Sequence, residues 1–322
     1  MIPSLQLRVV VSRIHVEAED IASYELVSSD GTALPRFSAG SHIDVAVPGG
    51  FTRQYSLCNN PDETHRYLIA VLKDARSRGG SVAMHEQLRT GDSLYISSPR
   101  NHFSLAHEAQ ASLLLAGGIG VTPLLCMAER LALTNSKFAL HYCTRSPART
   151  AFKERIENSP LAPHTHFHFD DGPEEQRLDM NGLLANHNPG QHLYVCGPAG
   201  FMDAVLSMAR QSGWPEGQVH YEFFAGSVTR ADTDAGFEVQ LASTGSIVRV
   251  AKDQTVLQAL FAAGVEIPAS CEQGVCGTCL TRVLQGVPDH RDAYLTPDEQ
   301  AANDQFLPCC SRSLTSMLVL DI

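Results

Sequence analysis

A constellation of cysteines carries the clearest chemistry in the chain. Cys271, Cys276 and Cys279 stand in the run Cys271-Glu-Gln-Gly-Val-Cys276-Gly-Thr-Cys279, and the pair Cys309 and Cys310 follows about thirty residues on. C-x4-C-x2-C…C is the spacing of a plant-type 2Fe-2S cluster, in which each of two irons takes two thiolates beside the bridging sulfides. The tight loop supplies three of them. Gly274 and Gly277 let the backbone fold closely round an inorganic core and aim amides at its sulfurs. A structural zinc site is the alternative, but zinc frameworks usually pair two short CxxC knuckles and only one occurs here. For the fourth ligand Cys309 and Cys310 compete. Adjacent residues on extended chain point in opposite directions, so only one serves.

A second constellation suits a dinucleotide. Leu113-Leu114-Leu115-Ala116-Gly117-Gly118-Ile119-Gly120-Val121-Thr122-Pro123 runs from a buried strand through a glycine turn into a helix. Thr122 reads as the N-cap and Pro123 as the first helical residue. Glycines allow backbone to approach a pyrophosphate, and a helix N-terminus favours its charge. Such a turn alone is weak evidence. It is joined by Tyr194-Val195-Cys196-Gly197-Pro198-Ala199-Gly200, another strand ending in a glycine loop before a helix. Two such strand ends are what a ligand crevice at the carboxyl edge of a parallel sheet requires. Thr144 and Arg145 fall where the adenosine ribose would be read. Arg145 and Arg149 are both suited to a 2′-phosphate, so NADH and NADPH stay open on the residues alone.

Hydride delivers two electrons and a 2Fe-2S centre accepts one, so a group that divides the pair is needed; flavin is the usual one. Its candidate strand is Arg53-Gln54-Tyr55-Ser56-Leu57, where 53, 55 and 57 share a face. Arg53 suits a phosphate, Tyr55 the face of an isoalloxazine ring and Ser56 its polar edge. Arg78-Gly79-Gly80-Ser81, ahead of a helical run from Val82 to Leu88, offers a guanidinium, free amides and a hydroxyl to a terminal phosphate.

The elements that must position these residues follow from rhythm. Up to about Leu105, short β-rich runs such as Ile43 to Val47, Tyr67 to Leu72 and Ser93 to Ile96 are punctuated by Gly, Pro and Asn, which predicts an antiparallel barrel or sandwich. Over 111–224, apolar strands (Ser112 to Ala116, Phe138 to Cys143, His192 to Cys196) alternate with helical stretches such as Pro123 to Leu133, as in a parallel α/β sheet. The small, polar segment 226–236 reads as a linker. Beyond it Phe237 to Leu241 and Ile247 to Val250 read as a hairpin. A helix over Thr255 to Ala263 follows, opened by a Thr255/Gln258 capping box and stopped at Gly264. A length of 322 residues accommodates three such domains. The expected boundaries are 1–105 for flavin, 106–226 for nucleotide, 227–235 for the linker and 236–322 for the cluster.

Composition narrows the function. A net charge of -11 argues against nucleic acid as a partner. Residues 236–322 carry ten acids against five Lys/Arg, whereas 1–105 carry eleven against ten, which suits a basic protein partner or simply solubility. No stretch approaches a membrane span and the N-terminus lacks an export signal, so a soluble cytoplasmic protein is expected. His164, His166 and His168 alternate, but no cysteine or carboxylate pattern completes a metal site, and a solvated strand face is expected. Cys58, Cys126 and Cys143 read as packing residues, and Trp214 as turn packing.

RQYSLCN at 53–59, RGGS at 78–81, GGIGVTP at 117–123, CGP at 196–198, YEFF at 221–224 and the C-terminal cysteines occur in the order of the phthalate dioxygenase reductase family, which the chain resembles throughout. The family includes vanillate demethylase and carnitine monooxygenase reductases. The resemblance implies a flavin barrel, a nucleotide-binding α/β domain and a β-grasp ferredoxin domain. It also implies FMN, NADH and, as acceptor, a Rieske-type oxygenase of aromatic or quaternary-amine substrates. A monomer is expected. Cys309-Cys310-Ser311-Arg312 resembles the C-x-S-R ending of reductase ferredoxin domains, which selects Cys309 as ligand and leaves Cys310 to packing. By the same likeness Phe224 flanks the flavin, with Phe223 as the register alternative. Thr122 then lies between flavin and nicotinamide, Cys196 lies near the hydride, and Ala70 and Leu72 join the flavin residues. Gln54 departs from the usual Thr or Arg, and His290-Arg291-Asp292 looks like the family without a mechanistic role. Rival readings are a different acceptor, diiron or haem, and a non-catalytic redox sensor or carrier.

Overall fold

The computed structural model describes residues 5–74, 79–224, 234–269, 272, 274, 275 and 277–322. The chain divides into two compact units, Met1–Phe224 and Ala225–Ile322.

The first unit opens with β1 (Leu5–Ala18), β2 (Ile21–Ser28), β3 (His42–Val47), β4 (Phe51–Ser56), β5 (Tyr67–Leu72), helix α1 (Gly80–Gln87) and β6 (Ser93–Ser97). The strands form one antiparallel sheet in the order β4-β3-β6-β1-β2-β5. Its two edges meet where the chain leaving β4 forms the bridge Leu57↔Ile69 and Cys58 N donates to Leu68 O at 2.9 Å. The sheet thus curls into a barrel whose edges cover each other. Alternation fills the inside with side chains such as Val9, Tyr24, Ile43 and Ile69. Helix α1 starts at Gly80, two residues before the apolar pattern predicts. Gly79, at φ 97°, turns the chain as the N-cap, a conformation open to glycine.

Next come β7 (Ala111–Gly117), a 3-10 turn (Gly118–Gly120), α2 (Val121–Leu133), β8 (Lys137–Thr144), α3 (Lys153–Glu157), β9 (Thr165–Phe169), α4 (Met180–Ala185), β10 (Gln191–Cys196), α5 (Ala199–Gln211) and β11 (Val219–Glu222). The sheet is parallel, ordered β11-β10-β7-β8-β9. The order in which strands are added reverses between β7 and β10, the switch point where open α/β sheets bind ligands. One difference from the sequence expectation concerns Thr122. The 3-10 turn runs straight into α2, so the cap falls on Gly120; Thr122 lies inside the helix and its hydroxyl donates to Ile119 O at 3.1 Å. A second core joins barrel to sheet, with Ile21, Leu68, Ala70 and Phe103 packed with Leu114, Val121 and Leu124. Each buried Leu or Val contributes about 1.5–3 kcal/mol, which accounts for the two lobes forming one unit.

The second unit holds β12 (Phe237–Leu241), β13 (Ile247–Val250), α6 (Val256–Ala262), β14 (Thr281–Gln285), β15 (Pro288–Asp289), α7 (Pro297–Ala302), β16 (Gln305–Phe306), β17 (Arg312–Ser313) and β18 (Met317–Leu320). The main sheet runs β13-β12-β18-β14-β16, with β12 and β18 parallel, and α6 packs Val256, Ala259 and Leu260 onto it. A hairpin, a helix laid across the sheet and a parallel central pair make a β-grasp. The Thr255/Gln258 capping box forms as the sequence predicts. Residues 225–233 of the linker lie outside the described residues. Asp234, 7% exposed, is held by Arg291, whose Nη1 donates to Oδ2 at 2.9 Å, and has Arg312 Nε at 3.7 Å. Arg312 Nη2 also donates to Ala235 O at 3.0 Å, so the end of the linker is fastened to this unit.

Candidate functional site

The carboxyl ends of β7 and β10 bring the two glycine loops into contact. A Cβ on Gly120 would sit 2.2 Å from Cys196 O, and one on Gly197 would sit 3.0 Å from Gly117 Cα. Only glycine allows this approach, and the result is a crevice edge made of backbone amides. Gly118, at φ 53°, keeps open space where its side chain would be. Pro198 caps α5 and Phe201 fills the space behind Gly117 and Gly197.

At the end of β8 the side chains are partly committed. The Thr144 hydroxyl lies 2.7 Å from that of Thr150. Arg149 Nη2 donates to Glu19 Oε1 at 2.6 Å and lies 3.6 Å from Asp20. Arg145 is exposed.

On the barrel, Arg53 lies along the start of α1. A Cβ on Gly80 would meet Arg53 Nε at 2.7 Å, so the guanidinium stem and the first amides of the helix occupy one spot. Arg78 lies outside the described residues. The Ser81 hydroxyl accepts from Asp74 N at 3.2 Å. Tyr55 packs partly into the barrel core, and burial raises its phenol. Gln54 points to the other side of β4, where its amide donates to Asp44 at 3.4 Å. Ala70 is buried in the core between barrel and sheet, and Leu72 packs at its margin.

Ser56 reaches across to the parallel sheet. Its hydroxyl donates to Glu222 Oε2 at 3.3 Å, a link over 166 residues that sequence reading missed because nothing local announces it. His42 Nδ1, from β3, lies 3.8 Å from Glu222 Oε1. Burial pushes the Glu222 carboxyl up to about 8, against a smaller opposing effect of the Ser56 hydrogen bond. Cys196 is fully buried; burial first, and Glu222 second, push its thiol well up. It is therefore no thiolate nucleophile. Beyond β11, Phe223 packs against the core under α5, whereas Phe224 is left 36% exposed.

In the second unit Cys279, Cys309 and Cys310 are buried together with Leu295 and Leu307. Cys271 and Cys276 lie outside the described residues. The pair 309–310 sits in a turn, with Cys310 N and Ser311 N both donating to Leu307 O, rather than on extended chain as the sequence argument assumes. The Cys310 thiol lies 3.7 Å from Leu307 O and from the Ser311 hydroxyl, pressed against Gly274. Gly277, at φ 68°, lies under the Tyr294 ring. Asp292 backs the loop: it accepts from Leu295 N at 2.8 Å and from the Ser311 hydroxyl at 3.3 Å. The family-like triplet 290–292 thus holds the linker end through Arg291 and braces the cysteine turn through Asp292.

Of the alternating histidines, His166 and His168 share a face of β9 and both stack on His141, while His164 departs. His164 lies in a turn, its ring tilted against Phe138, while His168 Nε2 meets His141 Nδ1 at 3.0 Å on the neighbouring strand. Burial drives His141 down to about 4. Among the described residues no group of three or more His, Cys, Asp or Glu is arranged to hold a metal ion. Trp214 is buried, its indole donating to Leu184 O at 2.9 Å. Among the described residues no helix is long and apolar enough to cross a membrane.

Comparison with known proteins agrees with this layout. A family model for the 2Fe-2S iron-sulfur cluster binding domain matches residues 239–314. One for the N-terminal domain of dimethylamine monooxygenase subunit DmmA-like proteins matches 96–219. The chain is 52% identical to a vanillate O-demethylase oxidoreductase of Pseudomonas sp. (strain HR199 / DSM 7063), over 98% of this chain and 100% of that one. The solved structure titled phthalate dioxygenase reductase, "a modular structure for electron transfer from pyridine nucleotides to [2Fe-2S]", matches with a TM-score of 0.79 and 39% identity over 98% of both chains. An intact type IV self-sufficient cytochrome P450 monooxygenase matches with a TM-score of 0.83 and 38% identity, over 98% of this chain and 41% of that chain. Full-length identity of this order, over a barrel, a parallel sheet and a ferredoxin fold in that sequence, places the chain in the phthalate dioxygenase reductase family of oxygenase reductases.

Proposed function

We propose that the chain takes hydride from NADH at FMN and passes the electrons singly through a 2Fe-2S cluster to a Rieske-type oxygenase. The observation that carries this is the meeting, at the sheet's switch point, of two close-packed glycine loops with the barrel strand through Ser56 and Glu222. Bound flavin would supply the conversion of a two-electron donor to single-electron steps. Everything else is positioning by this chain's residues, and no side chain serves as general acid or base for the hydride itself.

Arg53, Gly79, Gly80 and Ser81 suit a terminal phosphate, which favours FMN, and Tyr55, Ser56, Thr122 and Phe224 would surround the ring. The position of Phe224, exposed while Phe223 is packed away, supports it as the stacking aromatic. Gly117, Gly118, Gly120, Gly197 and Pro198 would hold the nucleotide, beside Thr144 and Arg145. Arg149 is engaged by Glu19 and Asp20, so of the two candidate cations for a 2′-phosphate only the exposed Arg145 remains, which favours NADH. Cys271, Cys276, Cys279 and Cys309 would ligate the cluster. We take 1–105, 106–226 and 236–322 as the flavin, nucleotide and cluster domains, joined by 227–235, in a cytoplasmic monomer. Cys58 and Cys126 are buried as packing thiols, which suits a reducing compartment.

A haem acceptor is the second reading, favoured by the match to the self-sufficient P450. The test mixes NADH-reduced chain with a Rieske oxygenase and with a P450 in stopped flow. Faster reduction of the Rieske centre is expected, and preference for the haem would overturn the acceptor assignment. NADPH oxidised as well as NADH would overturn the donor.

A further inference from the structure

The Glu222 carboxyl, its side chain 16% exposed, is the flavin-side end of a row of proton-bearing groups in the first unit. Ser56 donates to one of its oxygens at 3.3 Å, and His42 Nδ1 stands 3.8 Å from the other. The His42 side chain, 3% exposed, stacks on His102, with ring centroids 5.5 Å apart and planes 30° apart. His102 is exposed and lines a cleft of about 340 Å³ with Ser104, His220 and Tyr221. The row therefore leads from the strand bearing Arg53, Tyr55 and Ser56 to water.

The proposed chemistry needs such a path. Oxidation of NADH yields NAD+, two electrons and one proton. The electrons depart singly for the cluster, whereas the proton is left at the flavin pocket and has to reach solvent. We propose that Glu222 and His42 carry that proton out of the flavin pocket and deliver it through His102 to the cleft. The inference rests on flavin binding at β4.

The groups are suited to this work. Burial holds the Glu222 carboxyl at about 8, so at neutral pH it is protonated and a modest change in its surroundings releases the proton. An imidazole accepts on one nitrogen while donating from the other, so a proton passes through without a lasting charge. Neither outer step is a hydrogen bond as it stands; each closes by a side-chain swing or one bridging water. The titratable groups around the row are few. Cys196, from β10, is a thiol pushed well up, and Arg100, after β6, is taken by Asp44. On Glu222's own strand, His220 meets His192 at 2.9 Å and Tyr221 faces the cleft.

The test is a single turnover of the full-length holoenzyme. Chain reduced by one equivalent of NADH is mixed with excess ferricyanide in weak buffer containing an indicator dye, and proton appearance is followed. His42→Gln should slow proton appearance at least about tenfold, the low end of positioned acid-base effects. Added imidazole should restore it, a rescue that a merely structural role would not show. Flavin and cluster absorbance report whether the variant is intact. Release at the wild-type rate, or slow release that imidazole leaves unchanged, would overturn the proposal. If His42→Gln purifies colourless, the exposed His102→Gln decides: slowed, imidazole-rescued release supports the path and unchanged release overturns it. A wild-type chain without yellow absorbance overturns the flavin reading itself, and the path with it.

Discussion

Gly120 has no room for a side chain, because the Cys196 carbonyl oxygen lies 2.2 Å from where its Cβ would stand. Gly120→Ala must push the two loops apart. We expect about 1–3 kcal/mol of lost stability, the usual cost of overpacking, and a KM for NADH raised about tenfold or more while the yellow absorbance persists. Calorimetry and initial rates check both, and a wild-type KM would show that these loops do not hold the nucleotide.

Arg53 is the described cation at the start of α1 on the barrel side. A hydrogen bond to a charged group contributes about 1.5–3 kcal/mol, so Arg53→Ala should weaken FMN binding by about 10- to 100-fold. Arg53→Lys should recover only part, since a point charge replaces a planar fork. Fluorescence titration of the flavin-stripped chain measures this; equal affinities in all three would remove Arg53 from the phosphate site.

The adjacent thiols of the C-terminal unit differ in surroundings, with Cys310 pressed against Gly274 and held near Leu307 O. Cys309→Ser and Cys279→Ser should abolish the cluster's visible absorbance and cytochrome c reduction while NADH still bleaches the flavin. Cys310→Ser should retain the cluster. The reverse pattern for 309 and 310 would exchange their roles.

Glu222 also links stability to pH. Its carboxyl stands at about 8 in the fold against an ordinary value of 4.5. Between those values the folded chain holds a proton that the unfolded chain has lost, so stability declines as pH climbs through that window and levels off above it. Glu222→Gln lacks this slope. Its melting temperature relative to wild type should be higher at pH 9 than at pH 5, and an offset independent of pH would refute the assignment.

What the sequence made legible was local. The two glycine turns, the Thr255 capping box and the hairpin at 237–250 are each written within a dozen residues, and short-range geometry decides them. Thr122 shows the limit: its cap pattern was sound, but a preceding 3-10 turn moved the helix start upstream. Opposite-pointing side chains at 309 and 310 presuppose extended chain, whereas Leu307 O gathers the pair into a turn. Ser56 with Glu222, His42 with His102 and Asp234 with Arg291 are long-range meetings of ordinary polar residues. No spacing rule reaches them, because tertiary packing alone brings them together.

The fastening of Asp234 sets where the C-terminal module begins. A transplant cut at Phe237, the first strand residue, would leave Arg291 with Asp289 alone and Arg312 with the carbonyls of Gln254 and Ala251 but no carboxylate. The loss of one carboxylate shared by two guanidiniums would destabilise the module at its start. Chimeric reductases assembled from this chain therefore need their junction upstream of Asp234.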